Sequence, residues 1–100
     1  MNLPLIITPV AELDLAEAKS WYERQSRGLG DDFLLCIEEA LDRIRLLPEA
    51  YREVVPGVRR VITRRFPYGV YYRIDLDQIA VLAVYHSKRD PRGWANRIGS

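Results

Sequence analysis

Residues 64–91, with the sequence RRFPYGVYYRIDLDQIAVLAVYHSKRDP, decide the fold of this 100-residue chain. Residues 69–75 and 79–86 are rich in Val, Ile and Tyr, which strands favour, and Leu76-Asp77-Gln78 provides a tight hairpin connection between them. Phe66-Pro67-Tyr68-Gly69 turns the chain into this hairpin from an earlier strand over residues 58–65, and residues 90–93 end the sheet. The stretch therefore predicts three consecutive antiparallel strands.

Upstream of these strands, apolar residues recur with the period of an α-helix. A first helix is predicted over residues 9–27, with Thr8 as its N-cap and Pro9 at its first position. Its apolar stripe consists of Ala11, Leu15, Ala18 and Tyr22.

A second helix follows Gly28-Leu29-Gly30, which interrupts the helical pattern. Asp31 is predicted to cap this helix and Pro48 to end it. Its apolar stripe consists of Phe33, Ile37, Ala40, Leu41, Ile44 and Leu47. The two helices therefore form an αα-hairpin.

The first residues add one more strand. Residues 3–8 are mostly apolar, and Pro4 within them predicts an edge strand rather than a central one. The element order is then β-α-α-β-β-β, with residues 94–100 as a short tail. An αα-hairpin packed on a small, mainly antiparallel sheet predicts a two-layer α+β fold in a single domain over residues 1–100.

The composition is that of a globular protein, with 48% hydrophobic and 29% charged residues. No apolar run approaches the roughly 20 residues of a membrane span, and the first residues lack a charged n-region or cleavage site. The single cysteine, Cys36, lies near the apolar stripe of the second helix, where a free cysteine is usually buried, and it suits a reducing compartment. These features predict a cytoplasmic protein that does not contact a membrane.

Generic catalytic and cofactor motifs are absent from the sequence. There is no Walker A sequence, GxGxxG or nucleophile elbow, so no cofactor is predicted. Cys36 and His86 are too few to make a metal site. His86 is the natural acid or base if there is one, although a histidine that closes a strand is more often a hydrogen-bonded structural group.

The net charge of +1 hides a strong asymmetry between the two halves. Residues 9–50 carry a net charge of −5, whereas residues 51–100 carry +6. A polarised chain of this kind suggests an anionic partner for the second half. The alternative is that helices prefer Glu and that these strands happen to be rich in Arg.

Arginines concentrate in the strand region, with no acidic residue between Val58 and Ile74, and further basic residues follow the last strand. Guanidinium groups bind phosphate bidentately, so the cluster is compatible with a nucleic-acid backbone. Docking on the carboxylates of a protein partner and pairing with the acidic helices are equally compatible. The predicted target-binding residues are Arg59, Arg60, Arg64, Arg65, Arg73, Lys88 and Arg89.

Strand geometry makes two further predictions. A two-residue hairpin turn is expected to place Arg73 near Leu82, within reach of the region around His86. Alternation places Tyr71 and Tyr72 on opposite faces, so that one is core and the other is available for contact. Interleaved aromatic and basic residues are compatible with base stacking and equally with a protein-binding surface.

Three segments together resemble the RelE/ParE family of toxins from type II toxin–antitoxin systems, of the plasmid stabilisation type. They are residues 11–25, AELDLAEAKSWYERQ, residues 33–54, FLLCIEEALDRIRLLPEAYREV, and residues 64–91. The resemblance covers roughly residues 5–94 in the predicted element order. It implies a small bacterial toxin that inhibits growth and is neutralised by an antitoxin, whose extended or helical C-terminal segment wraps the toxin surface.

The family divides by target. RelE-like members cleave messenger RNA in the ribosomal A site without a metal, whereas ParE-like members inhibit DNA gyrase and are not nucleases. Arg60 and Arg89 fit the basic positions of the nuclease pattern. Ile62, Gly69 and Trp94 occupy positions where that pattern has a lysine, an arginine and a tyrosine.

The first hypothesis is therefore a ParE-like toxin that binds gyrase and has no chemistry of its own. The second is a metal-independent, ribosome-dependent endoribonuclease that uses Arg60, Arg73, His86 and Arg89. The third is a non-toxic relative that only binds its antitoxin.

Overall fold

The protein forms two helices packed on one five-stranded sheet, and the computed structural model describes residues 3–88. The elements in chain order are β1 (Leu5–Ile7), α1 (Pro9–Gln25), α2 (Leu29–Leu46), β2 (Glu53–Val55), β3 (Val58–Ile62), β4 (Tyr68–Ile74) and β5 (Ile79–His86). The predicted α+β class and two-layer arrangement are confirmed. The predictions for Arg89 and for the tail lie outside the described residues.

The sheet has the strand order β1-β5-β4-β3-β2. β1 pairs with β5 in parallel, and every other neighbouring pair is antiparallel. β1 is therefore the edge strand that Pro4 indicates. β2 is not predicted from the sequence, because three residues are too few for a periodic signal, although Pro56-Gly57 marks the turn that joins it to β3.

The start of α1 is the one that the sequence predicts. The Thr8 side chain accepts a hydrogen bond from the Ala11 backbone N–H at 3.4 Å, and Pro9 takes the first helical position. Only Ala11 and Ala18 of this helix are fully buried. Because both side chains are small, the helix axis can lie close to β5, the strand that it packs against.

The start of α2 differs from the prediction. The helix begins at Leu29, its N-cap is Gly28 with a left-handed φ of 86°, and Asp31 lies inside the first turn. No side chain of α2 itself caps the helix. Instead, the Glu23 carboxylate of α1 accepts hydrogen bonds from the backbone N–H groups of Gly28 and Gly30, both at 3.0 Å. These bonds favour the ionised carboxylate and lower the pKa of Glu23.

Gly28 does interrupt the helical pattern, as predicted, but Gly30 already lies inside α2. A Cβ atom at Gly30 would lie 2.8 Å from the Lys19 carbonyl oxygen, which is closer than real contacts allow. The glycine therefore belongs to α2 and permits the close approach of the two helices. A glycine that serves helix–helix contact and one that ends a helix look the same in a single sequence.

The main core lies between the helical hairpin and the sheet. Its largest fully buried side chains include Phe33 and Ile44 of α2 and Tyr72 of β4. The Tyr72 hydroxyl donates a hydrogen bond to the Pro48 carbonyl oxygen at 2.6 Å and so ties the sheet to the end of the second helix. Cys36 is half-buried at the margin of this core.

The face of the sheet that points away from the helices, called here the outer face, has an apolar cluster of its own. Tyr71 lies in it with Val58, Ala83 and Tyr85. Tyr71 and Tyr72 therefore do point to opposite faces, but they are 3% and 0% exposed. The prediction that one of them is available for contact was wrong, because the outer face buries its own tyrosine.

The β4–β5 register also corrects one prediction. Asp75 N–H donates to the Gln78 carbonyl, so the turn is centred on Leu76 and Asp77, and Ile74 pairs with Ile79. Arg73 therefore pairs with Ala80 rather than lying near Leu82. It sits at the turn end of the hairpin, away from His86.

Candidate functional site

The basic residues that the sequence groups together lie in four different places. Arg60 and Arg73 are on the outer face, Arg59 is on the helix side of the sheet, and Arg64 and Arg65 are in the loop between β3 and β4. Lys88 is exposed just after β5, and Arg89 lies outside the described residues. The single cationic cluster predicted from sequence proximity is therefore divided by the fold.

Arg60 and Arg73 form the outer-face pair of arginines. Arg60 is the cross-strand partner of Tyr71, and its aliphatic stem packs over Gly69, where a Cβ atom would lie 3.1 Å from the Arg60 Cδ. Arg73 follows Tyr71 by two residues, so the two arginines are diagonal neighbours with Cα atoms about 7–8 Å apart. Arg73 Nε also donates to Asp75 Oδ1 at 2.9 Å. Both side chains are exposed and frame the tyrosine cluster.

Arg59 is engaged inside the fold. One of its terminal nitrogens donates to the carbonyl oxygens of Glu49 and Tyr51 at 3.1 and 2.7 Å. The other lies 3.6 Å from the Glu53 carboxylate. Its guanidinium holds the segment that follows α2 against β3, which is a structural role.

Arg64 and Arg65 face the second helix. Arg64 lies 3.9 Å from the Glu39 carboxylate, and Arg65 lies 3.4 Å from that of Asp32. The Arg65 guanidinium also sits 5.1 Å from the centre of the Phe66 ring. The two arginine side chains are 73% and 62% exposed, so these ion pairs are weak and leave the groups accessible. Here the predicted pairing of strand-region arginines with an acidic helix is confirmed.

His86 lies on the helix side of the sheet. It is the cross-strand partner of Tyr68, and the two rings meet edge to face with centroids 5.3 Å apart. Its Nδ1 accepts a hydrogen bond from the Lys88 backbone N–H at 3.1 Å. The cross-strand partner of Arg73, Ala80, precedes His86 by six residues, a separation of roughly 20 Å along the strand. His86 and Arg73 are thus not brought together.

His86 instead borders a cavity of about 390 Å³ between α1 and the β4–β5 hairpin. We call it the acid–aromatic cleft; its lining residues are Asp14, Glu17, Ala18, Trp21, Tyr22, Tyr68, Val84 and His86. Burial, together with the neighbouring Tyr22, raises the pKa of Tyr68 to about 12, so its hydroxyl stays protonated. Asp14, Glu17 and Trp21 are not among the site residues predicted from the sequence. Their spacing of three and four residues along one helix face was the available signal.

A second cavity, of about 500 Å³, lies between α1 and α2 beside the end of β1. We call it the hairpin groove; it is lined by Ile7, Leu15, Leu34, Ile37, Glu38, Leu41, Asp42 and Arg45. Arg45 is held by Asp42 at 2.9 Å, which leaves Glu38 as an acidic group on the rim. The helical hairpin also carries six of the nine exposed large hydrophobic residues found in the described part: Val10, Leu13, Trp21, Leu35, Leu46 and Leu47.

Two classes of site can be checked directly. Among residues 3–88, no group of three or more His, Cys, Asp or Glu side chains is arranged to hold a metal ion. Within the same range, no helix is long and apolar enough to cross a membrane.

Comparison with known families decides the family. The profile of the family described as "ParE toxin of type II toxin-antitoxin system, parDE" matches residues 5–91. The chain belongs to the ParE toxin family. The family resemblance of the three sequence segments is thereby confirmed, and the match covers both helices and all five strands.

The ParE fold is also seen in a solved structure. The chain is similar to one in "Chromosomal ParDE TA system from P. aeruginosa", with a TM-score of 0.77 and 20% sequence identity. The match covers 86% of this chain and 97% of that chain, and at this identity it supports the fold. No curated protein matched this ParE family member in the sequence comparison.

Proposed function

We propose that this chain is a growth-inhibitory toxin that binds DNA gyrase without cleaving nucleic acid. We also propose that a cognate antitoxin neutralises it by filling the hairpin groove. The observation that carries the proposal is the separation of Arg60 and Arg73, on the outer face, from His86, on the helix side.

A metal-independent ribonuclease needs its acid, its base and its phosphate-binding cations around one scissile phosphate. Each group must come within hydrogen-bond reach of the atom on which it acts. His86 is roughly 20 Å along the strand from the position of Arg73 and faces the other way. Arg60, Arg73 and His86, three of the four candidate nuclease residues, therefore do not form one catalytic site. Their separation supports a toxin that acts by binding its target.

The outer face suits a protein target. Arg60 and Arg73 stand beside a patch in which Tyr71 and Tyr85 are packed with their rings 6.0 Å apart. Arginine is enriched at protein interfaces, and its guanidinium pairs bidentately with a carboxylate. We place contact with acidic residues of gyrase on this face.

The hairpin groove suits the antitoxin. Its floor is made of apolar side chains such as Leu34 and Ile37, and its rim carries Glu38, which forms no ion pair within residues 3–88. An amphipathic segment with an apolar face and basic flanks would match both features. The solved structure with the same fold is named as a ParDE toxin–antitoxin system. That name supports an antitoxin as the partner of this chain. Because gyrase lies in the bacterial cytoplasm, the proposal also places the chain there.

The test is expression of the chain from a tightly repressed promoter, alone and together with the antitoxin gene encoded next to it. The proposal expects growth arrest with filamentous cells and DNA-damage signalling, and restored growth on co-expression. Primer extension on ribosome-bound messages should show no new cleavage sites. Healthy growth of cells that contain the folded chain would contradict toxicity, and cleavage between fixed codon positions would make the chain a nuclease.

A further inference from the structure

We propose that the acid–aromatic cleft is a binding site for an arginine side chain presented by a peptide segment of a partner protein. The cleft lies between α1 and the end of the β4–β5 hairpin. It shares no lining residue with the hairpin groove and lies on the other side of the sheet from Arg60 and Arg73. The site is therefore independent of the function proposed above.

Aromatic rings form the wall of the cleft and are held in place by the core. Trp21 is 49% exposed, although it is the largest side chain of α1. It meets Tyr22 edge to face at 5.0 Å, and Tyr22 in turn stacks on Phe33 at 5.3 Å. A cation over such a ring is attracted by its quadrupole, most strongly over Trp. The cleft thus offers a rigid aromatic surface that stays open to solvent.

The carboxylate of Glu17 stands beside that surface. Glu17 precedes Trp21 by one helical turn, and no lysine or arginine of residues 3–88 forms an ion pair with it. Asp14, one turn earlier, accepts the Val84 backbone N–H at 3.0 Å and adds a second negative charge at a fixed position. The hydroxyl of Tyr68, which also lines the cleft, remains neutral because of its raised pKa.

These features select the ligand by its chemistry. An anion would be repelled by Glu17, and an apolar group would remove Glu17 from water without a partner. A guanidinium stacks on an aromatic face and pairs with a carboxylate through its planar fork, whereas a lysine ammonium is a strongly hydrated point charge. A cavity of about 390 Å³ is at the lower end of the sizes known for small-ligand sites, so it accepts one side chain rather than a helix.

The experiment follows the fluorescence of Trp21 in a Trp94→Phe background, in which Trp21 is the only tryptophan. The probe is the blocked tripeptide acetyl-Gly-Arg-Gly-amide, with the citrulline and lysine versions as matched ligands. The proposal expects saturable binding of the arginine peptide and binding of the citrulline peptide at least about tenfold weaker, because citrulline keeps the shape but loses the charge. Glu17→Gln should weaken arginine binding about fivefold, whereas Glu12→Gln, the same change outside the cleft, should leave it unchanged.

Three results would overturn the proposal. They are equal binding of the arginine and citrulline peptides, binding of the lysine peptide at least as tight as that of the arginine peptide, and no saturable change up to the solubility limit. An amide NMR spectrum of each variant separates loss of the site from loss of the fold. The assay contains no gyrase and no antitoxin, so its failure leaves the proposed toxin function untouched, and the reverse also holds.

Discussion

Arg73 and His86 lie at opposite ends of the β4–β5 hairpin and on opposite faces of the sheet. Arg73 pairs with Ala80 beside the turn, whereas His86 pairs with Tyr68 at the far end and borders the acid–aromatic cleft. Two residues that the sequence offers for one catalytic site are thus separated by roughly 20 Å along the strand. The separation of Arg73 and His86 favours a toxin that acts by binding its target rather than by catalysis.

The outer-face arginines should carry the interaction with the target. Replacing both Arg60 and Arg73 by Ala should weaken gyrase binding about thirtyfold, if each guanidinium contributes about 1 kcal/mol. Growth arrest on expression should weaken in parallel. The matched control is Arg24→Ala with Arg27→Ala, which removes the same charge from exposed positions at the end of α1. Pull-down with purified gyrase measures the effect, and equal binding by both double variants would place the target elsewhere.

The rim of the hairpin groove should set the affinity for the antitoxin. Glu38→Lys reverses its exposed rim charge and should weaken antitoxin binding about fivefold, because a basic segment then meets a like charge. Asp77→Lys, the same reversal in the exposed β4–β5 turn, is the control. Titration calorimetry with the purified antitoxin measures the dissociation constant of each variant. If the two variants bind alike, the antitoxin does not cover this groove.

Gly30 should be essential for the packing of the two helices. At an ordinary helix position, replacing Gly by Ala stabilises the folded protein by about 0.5–1 kcal/mol. At Gly30, the added Cβ would meet the Lys19 carbonyl oxygen at 2.8 Å, so Gly30→Ala should instead destabilise the fold by about 1–3 kcal/mol. Urea unfolding followed by circular dichroism measures the difference. A more stable variant would show that α1 and α2 can separate without cost.

Tyr72 should make the protein sensitive to alkaline pH. Burial raises the pKa of Tyr72 to about 12, whereas a tyrosine in the unfolded chain titrates near 10. The stability gained from the neutral phenol is therefore fully present below pH of about 10 and is lost as the pH rises towards 12. Tyr72→Phe removes this dependence together with the hydrogen bond to Pro48, at a cost of about 1 kcal/mol near neutral pH.

The measurement is the free energy of unfolding of both proteins at a series of pH values. The disadvantage of Tyr72→Phe should shrink as the pH rises above about 10, because only the wild-type protein loses this contribution. Tyr68 titrates in both proteins, so its effect cancels in the difference. A constant difference across the series would mean that the Tyr72 hydroxyl is not buried as described.

The fold could be predicted because its signals are local and repeated. The period of the apolar residues indicates the two helices, Thr8-Pro9 indicates the start of α1, and the strand-rich stretch 64–91 indicates the strands. Each of these signals can be interpreted without the others. The start of α2 could not be predicted in this way. Its cap comes from Glu23 of the other helix, and Gly30 is there for a contact between helices.

The candidate sites were harder to predict because they depend on how strands pair. When the pairing of two strands shifts by one residue, each side chain moves to the other face of the sheet. The cross-strand partner of Arg73 therefore depends on which two residues lie at the centre of the β4–β5 turn. Arg59 and Arg60 are neighbours in sequence, yet one is held inside the fold and the other is on the outer face. The acid–aromatic cleft joins α1 to β4 and β5, and no local pattern connects them.

The most direct test of the account is a supercoiling assay with purified DNA gyrase, relaxed plasmid and ATP, to which the chain is added alone or with its antitoxin. The account predicts that the supercoiled product disappears as the chain is added and returns when equimolar antitoxin is present. Undiminished supercoiling in excess folded chain, with codon-specific message cleavage in a parallel translation reaction, would contradict it.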